Sequence, residues 1–151
     1  MENKLVMYLH GGSGNHGCEA IVNSTCHMLE ELPKLLVTNS EKEDKFYSLD
    51  GLCDILQERK IDVHFIAHVW YYLWRSLFHD PESFMRYRFR DILGKKQAPL
   101  YVSVGGDMYC YEISKKEAVL ANRTFCRAGA KTVLWGCSIE PELLKEPEVV
   151  E

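Results

Sequence analysis

Apolar residues along this chain fall into two kinds of pattern, short continuous runs and longer stretches with helical spacing. Lys4–His10 (KLVMYLH), Leu35–Thr38 (LLVT), Asp62–Ala67 (DVHFIA), Leu100–Val104 (LYVSV) and Lys131–Trp135 (KTVLW) are runs of the first kind and predict five strands. Between them, Cys18–Leu32 carries Ala20, Ile21, Val22, Met28, Leu29 and Leu32 close to the 3.6-residue period and stops at Pro33, which predicts a helix. Leu49–Glu58 reads as a short amphipathic helix with Leu52, Ile55 and Leu56 inward, and Glu41–Lys45 as a solvated loop or helix start. Two further helices, His68–His79 and Pro81–Leu93, break at Asp80-Pro81, where proline suits a first turn. Their many aromatics fit a helical hairpin packed on the sheet or on a second domain; a membrane-surface or partner-binding pair is the alternative. Ser114–Ala128 is a helix with a capping-box pattern, Ser114 as N-cap and Glu117 three residues on, and Gly129 stands where a left-handed terminal residue belongs.

Strands alternating with helices define βαβ units and a mainly parallel sheet. Continuous rather than alternating apolar strands suit a sheet covered on both faces. The expected fold is therefore α/β, a Rossmann-like three-layer α/β/α sandwich. No internal repeat is visible. The tail Glu140–Glu151 is acidic, contains Pro141 and Pro147, and adds neither strand nor helix to close the unit.

Composition narrows the classes of function. A length of 151 residues supports one domain with a proper core, and 46% hydrophobic content excludes a disordered or low-complexity chain. Eighteen basic against 22 acidic residues leave a net charge of -4, which argues against a general nucleic-acid binder. No run approaches the roughly 20 apolar residues of a membrane span, and MENKLVMYLH is too short in apolar residues for a signal peptide. Cysteines at 18, 26, 53, 110, 126 and 137 form no C-x-x-C pair, so reduced thiols in a cytoplasmic protein are expected.

Candidate chemistry lies in three loops: GGSGNHGCE after the first strand, GGDMYCY after the fourth, and GCSIEP after the fifth. In a parallel sheet all three gather at one edge, where open α/β sheets bind ligands. The first contains G-x-G-x-x-G as Gly12, Gly14 and Gly17, the dinucleotide pattern, but the second strand ends in Thr38-Asn39-Ser40 instead of the acidic ribose ligand. Three readings stand for it: a dinucleotide, glycines that only turn the chain, or another anionic or sugar-containing ligand. Asp107 is either a turn former or a general base for a sugar hydroxyl. Tyr109 and Tyr111 either stack on a sugar ring or cover the sheet edge. Ser138 either donates to an oxyanion or caps a helix beginning near Pro141. His16, Cys18, Cys110 and Cys137 share the edge but lack the close pairing of usual zinc sites, so no metal is expected.

The segments LHGGSGNHGCEAIV (Leu9–Val22), SVGGDMYCY (Ser103–Tyr111) and LWGCSIEP (Leu134–Pro141) together resemble the N-terminal half of the polysaccharide pyruvyl transferase family. The resemblance runs over nearly the whole chain and is strongest in the first loop. It implies one lobe, residues 1–151, of a two-domain glycosyltransferase-B-like enzyme whose C-terminal donor-binding domain lies outside this chain. The implied reaction moves a pyruvyl group from phosphoenolpyruvate, with no further cofactor, to a saccharide or lipid-linked saccharide as a ketal. Asn15, His16, Gly17 and Glu19 match the family's first motif and Gly105, Gly106 and Asp107 its second, while Cys18 stands where many relatives have an acidic residue. The resemblance implies Asp107 as general base or orienter of the acceptor hydroxyl, His16 as proton donor or phosphate contact, and Glu19 as an orienting residue. Alongside this half-enzyme reading, which is inactive alone, stand a nucleotide- or dinucleotide-binding module and a non-catalytic interaction domain. A homo-oligomer that covers the remaining face fits any of them.

Overall fold

The computed structural model describes residues 5–60, 65–78, 80–93 and 100–147. Five strands form one sheet: β1 (Leu5–His10), β2 (Lys34–Thr38), β3 (Asp54–Gln57), β4 (Leu100–Ser103) and β5 (Thr132–Leu134), in the order β3-β2-β1-β4-β5 with every pairing parallel. Helices α1 (His16–Met28), α2 (Glu41–Phe46), α3 (Phe65–Phe78), α4 (Ser83–Arg88) and α5 (Glu112–Arg127) supply the crossovers. The architecture is α/β and Rossmann-like.

All six residues of β1 are buried, because the central strand is covered on both faces. Its side chains alternate between two cores. Val6 and Tyr8 meet Tyr101, Met85, Phe89, Ile92 and the α5 residues Ala118, Ala121 and Phe125. Leu5 and Met7 meet Leu36, Val102, Leu49 and the α1 residues Val22 and Cys26. Within the first core, the Phe125 ring stacks on Tyr101 with centroids 4.5 Å apart and meets Tyr8 edge-on at 4.7 Å.

The third strand departs from expectation. Asp54–Gln57 pairs with β2, Leu36 opposite Ile55 and Val37 opposite Leu56, inside the stretch predicted as an amphipathic helix. Only a 3₁₀ turn, Leu49–Gly51, precedes it. Two adjacent apolar residues satisfy either period, and the open edge of β2 decides between them. The strand expected at Asp62–Ala67 lies partly outside the described residues, and its last three, from Phe65, are helical.

Helix ends show which local signals survive packing. Gly129 takes φ +83 and closes α5 with Ala130 N donating to Phe125 O (3.0 Å) and Gly129 N to Cys126 O (2.9 Å), the Schellman arrangement. At the other end the capping box does not form. The helix starts two residues early, at Glu112, and Ser114 Oγ donates back to Tyr111 O (3.2 Å). Glu117 instead accepts from Arg88, whose Nε also donates to Glu58 (2.7 Å), so α4, α5 and the exit of β3 share one guanidinium. α1 ends at Met28, short of Leu32, and Lys34 Nζ donates to the carbonyls of Leu29 (2.8 Å), Leu32 (2.9 Å) and Glu30 (3.3 Å).

Of the readings of the aromatic hairpin, packing of α3 on the sheet is the one the structure does not bear out. Ile66, Val69, Trp70, Leu73, Trp74, Leu77 and Phe78 of α3 are exposed rather than packed on the sheet. Pro81 sits in the turn before α4 rather than in its first helical turn, and α4 ends at Arg88, short of the expected Leu93.

Candidate functional site

The sheet edge at the strand C-termini begins with an irregularity in β1. Leu9 adopts φ +60 where the register with β2 slips between Met7 and His10. Such a bulge re-aims the next side chain. His10 is turned into the interior, where its Nε2–H donates to Asp44 Oδ1 (2.9 Å). The same carboxylate oxygen accepts from Ser13 N (3.0 Å) and Ser13 Oγ (2.6 Å), and all three residues are buried. Burial pushes the Asp44 carboxyl up, but hydrogen bonds from His10 and Ser13, with a smaller part from Thr38, outweigh it and hold the group below the ordinary carboxylate range. Asp44 therefore ties the first loop to α2 as a fixed internal anion.

Glu43 covers the outer side of the same loop. Its Oε2 lies 3.4 Å from Gly14 N, at the reach of a weak hydrogen bond. Gly12 has φ +103, and a Cβ there would stand 2.5 Å from Glu43 Oε2. The dinucleotide reading needs a pyrophosphate against these amides. Here they already face two carboxylates, which weighs against it.

Asn15 caps α1, its Oδ1 accepting from Gly17 N (2.9 Å). Asn15→Ala should cost about 1 kcal/mol of stability, read as a lower urea midpoint at unchanged slope. In the first turn, His16 Nδ1 pairs with Glu19 Oε2 at 3.0 Å, with the imidazole largely exposed and edge-on to Tyr47 at 5.6 Å. Glu19 thus orients His16, as a carboxylate three residues along a helix can.

The second loop leaves β4 under tight steric control. A Cβ on Gly105 would lie 2.5 Å from Met108 Cγ and 2.9 Å from Leu9 O, so only glycine fits between β1 and the turn. Gly105→Ala should destabilise the fold by about 1–3 kcal/mol, seen as a melting point lower by several degrees with unchanged secondary structure. The turn closes with Met108 N on Gly105 O (2.7 Å) and Cys110 N on Asp107 O (2.9 Å). Asp107 itself is exposed, and its carboxylate has no hydrogen-bond or ion-pair partner among the described residues.

Tyr109 is corrected by the structure. Only 2% exposed, it faces the core and not a sugar ring. Asn122 Nδ2 donates to its hydroxyl (2.8 Å), Ser103 Oγ lies 3.2 Å away, and Tyr8 donates to Asn122 Oδ1 (2.5 Å). Tyr111, 62% exposed, is the tyrosine that the edge presents.

The third loop is laid against the second. Ser138 N donates to Gly106 O (2.7 Å), Cys110 Sγ to Ser138 O (3.4 Å), and Tyr109 bridges Ile139. Ser138 does not cap the 3₁₀ turn Pro141–Lys145; Glu140 occupies that position without a side-chain cap bond. Ile21 of α1 is the common contact, 3.4 Å from the positions a Cβ would take on Gly106 and on Gly136. Cys18 lies between the first two loops: burial pushes its thiol up, with Asp107 and Asp44 adding to the effect.

The three expected loops are thus adjacent, and they present His16, Glu19, Asp107, Tyr111 and Ser138 on one edge. Neither Gly11–Asn15, Val104–Tyr111 nor Trp135–Glu140 contains a lysine or arginine. Such an edge suits a neutral hydroxylic ligand better than a phosphate dianion. No group of three metal-ligating side chains occurs among the described residues. No helix among them is long and apolar enough to cross a membrane. Asp44, Glu43, Ser13 and His10 are the residues sequence reasoning missed; a charged run reading EKED signals a solvated face and conceals that its last carboxylate, Asp44, is buried.

Compared with protein-family models, curated proteins and solved structures, the chain matches none.

Proposed function

We propose that this chain is the acceptor-side lobe of a pyruvyl transferase acting on saccharides, with phosphoenolpyruvate as donor. The observation that carries the reading is an edge of three glycine-opened loops free of lysine and arginine, which presents the His16–Glu19 pair and an Asp107 carboxylate with no hydrogen-bond or ion-pair partner among the described residues. It rests equally on the motif resemblance.

In the reaction two acceptor hydroxyls add to C2 of the enolpyruvyl group, and the bond from C2 to the phosphate oxygen breaks. One proton goes to C3, making a methyl group, and the other leaves with phosphate. Asp107 takes the proton of an attacking hydroxyl, a task that needs an exposed carboxylate within hydrogen-bond reach of the sugar. His16, oriented by Glu19, delivers a proton toward the donor. Holding the donor's carboxylate and phosphate needs cations. These loops contain no lysine or arginine, so a second, glycosyltransferase-B-like lobe supplies them, with catalysis in the cytoplasm where phosphoenolpyruvate is made.

The test follows phosphate release and the new ketal methyl signal by NMR, with phosphoenolpyruvate and a panel of diol-bearing saccharides. The chain alone should show little turnover, yet acceptor saccharides should shift the amide signals of Gly105–Tyr111 and Asn15–Glu19. Robust turnover by the chain alone would remove the second lobe from the proposal. Micromolar binding of NAD or a nucleotide at these amides, lost in Gly14→Val, would replace the transferase reading with the nucleotide-binding one.

A further inference from the structure

Helix α3 carries its apolar side on the outside of the molecule. Ile66, Val69, Trp70, Leu73, Trp74 and Leu77 are all exposed, Ile66 by 83% and Leu77 by 69%. On a helix of 3.6 residues per turn these positions fall within an arc of roughly 140°, along a cylinder about 21 Å long. Trp70, Trp74 and Phe78 run toward one margin of the arc, with successive ring centroids 6.2 Å and 4.3 Å apart. The helix contains no aspartate or glutamate, and its one formal charge, Arg75, stands outside the arc by its position. A soluble domain normally turns such an arc to its own core.

The charge around α3 is the reverse of the chain's. Residues 59–96 hold eight lysines and arginines against four aspartates and glutamates, while the rest of the chain holds ten against eighteen. Helix α4, which α3 touches, carries Arg86 and leads to Arg90, and both are exposed. Arg59 and Lys60 are exposed as well, and Arg59 N donates to Arg88 O (3.2 Å), which holds Lys60 beside the end of α4. Arg59 pairs with Asp91 and Arg86 with Asp80, whereas Lys60 and Arg90 make no ion pair among the described residues.

We propose that α3 is an in-plane membrane anchor, lying in the headgroup layer of an anionic phospholipid bilayer with its apolar arc toward the acyl chains. Two observations select this occupant. Tryptophan and tyrosine favour the boundary between headgroups and acyl chains, and α3 exposes Trp70, Tyr72 and Trp74. The lysines and arginines around the helix complement lipid phosphates. A second copy of the chain fits less well, because a twofold pairing of α3 with α3 sets two positive segments against each other. At 14 residues the helix lies on a bilayer and does not cross it. Binding of this kind needs no catalytic activity, so it stands apart from the reaction proposed above.

The test mixes the intact chain with vesicles of phosphatidylcholine containing about one-third phosphatidylglycerol, and with vesicles of phosphatidylcholine alone. The chain should sediment with the anionic vesicles, and its tryptophan emission should shift to the blue and lose access to acrylamide. Binding to the uncharged vesicles should be at least ~10-fold weaker at low salt, with the gap narrowing as salt is added. Leu73→Ser combined with Leu77→Ser, near the centre of the arc, should weaken binding at least ~10-fold. The melting point should stay unchanged, because both side chains are exposed. Arg90→Glu should weaken binding to the anionic vesicles alone. No sedimentation with anionic vesicles, or undiminished binding by the double leucine variant, would overturn the proposal. A dimer in solution that the same variant abolishes, with no vesicle binding, would give the face to a second copy instead. Equal binding to both kinds of vesicle at low salt would overturn its charge preference.

Discussion

Asp44→Ala should unfold the protein roughly 10 °C earlier than the parent chain, a loss of about 3–5 kcal/mol. The size follows from what is left behind. Asp44 Oδ1 accepts three hydrogen bonds, from His10 Nε2, Ser13 N and Ser13 Oγ, and all three residues are buried. Removing the carboxylate strands three donors out of reach of water, each at about 1–3 kcal/mol before relaxation. Asp44→Asn keeps the shape and loses the charge, so it should fall between the two. The pH dependence has a definite sign. The Asp44 carboxyl is held below its ordinary value in the folded state. Its stabilisation is therefore fully present above the unfolded value, near pH 4, and is lost as the pH falls through the folded value. Urea midpoints measured from pH 7 downward should decline below about pH 4 in the parent and decline less in Asp44→Asn. An Asp44→Ala chain as stable as the parent would show that the loop is held by something else.

The second large effect belongs to Asp107 and depends on the proposed reaction. Where the lobe works together with its donor-binding half, Asp107→Asn should lower kcat by about 10²–10⁴-fold, the usual contribution of a general base. KM for phosphoenolpyruvate should stay unchanged, because the donor is held elsewhere. The fold should be unaffected, since the carboxylate is exposed and makes no internal bond among the described residues. That separation matters, because a purely structural Asp107 would move the melting point and leave kcat alone. An unaltered kcat would remove Asp107 from the mechanism.

Much of the fold was legible because it is set by backbone chemistry. Glycine at 105 and 129 answers a close approach and a left-handed turn, both local demands that a sequence displays directly. The parallel sheet followed from the order of apolar runs. What escaped prediction was decided by partners distant in the chain. Asp54–Gln57 became a strand because β2 offered an edge. Glu117 left its capping role because Arg88 was waiting across the α4–α5 contact. Tyr109 turned inward because Asn122 and Ser103 could satisfy its hydroxyl. The buried Asp44 sits in a run of charges, and only the bulge at Leu9 brings His10 round to meet it.

The strand order has a consequence for how the protein is made. β1 is the central strand and the first of the five to be synthesised, but its partner on one side, β4, begins only at Leu100. Until then Val6 and Tyr8 have no Tyr101 or Phe125 to pack against, and one row of β1 amides and carbonyls stays open. A nascent chain that has finished α1, β2 and β3 therefore carries an apolar half-sheet from Gln57 until β4 is added at Leu100. Parallel pairing over such separations is slow and leaves unpaired edges exposed to other chains. Recovery of soluble protein should depend more on conditions during translation than on the stability of the finished fold.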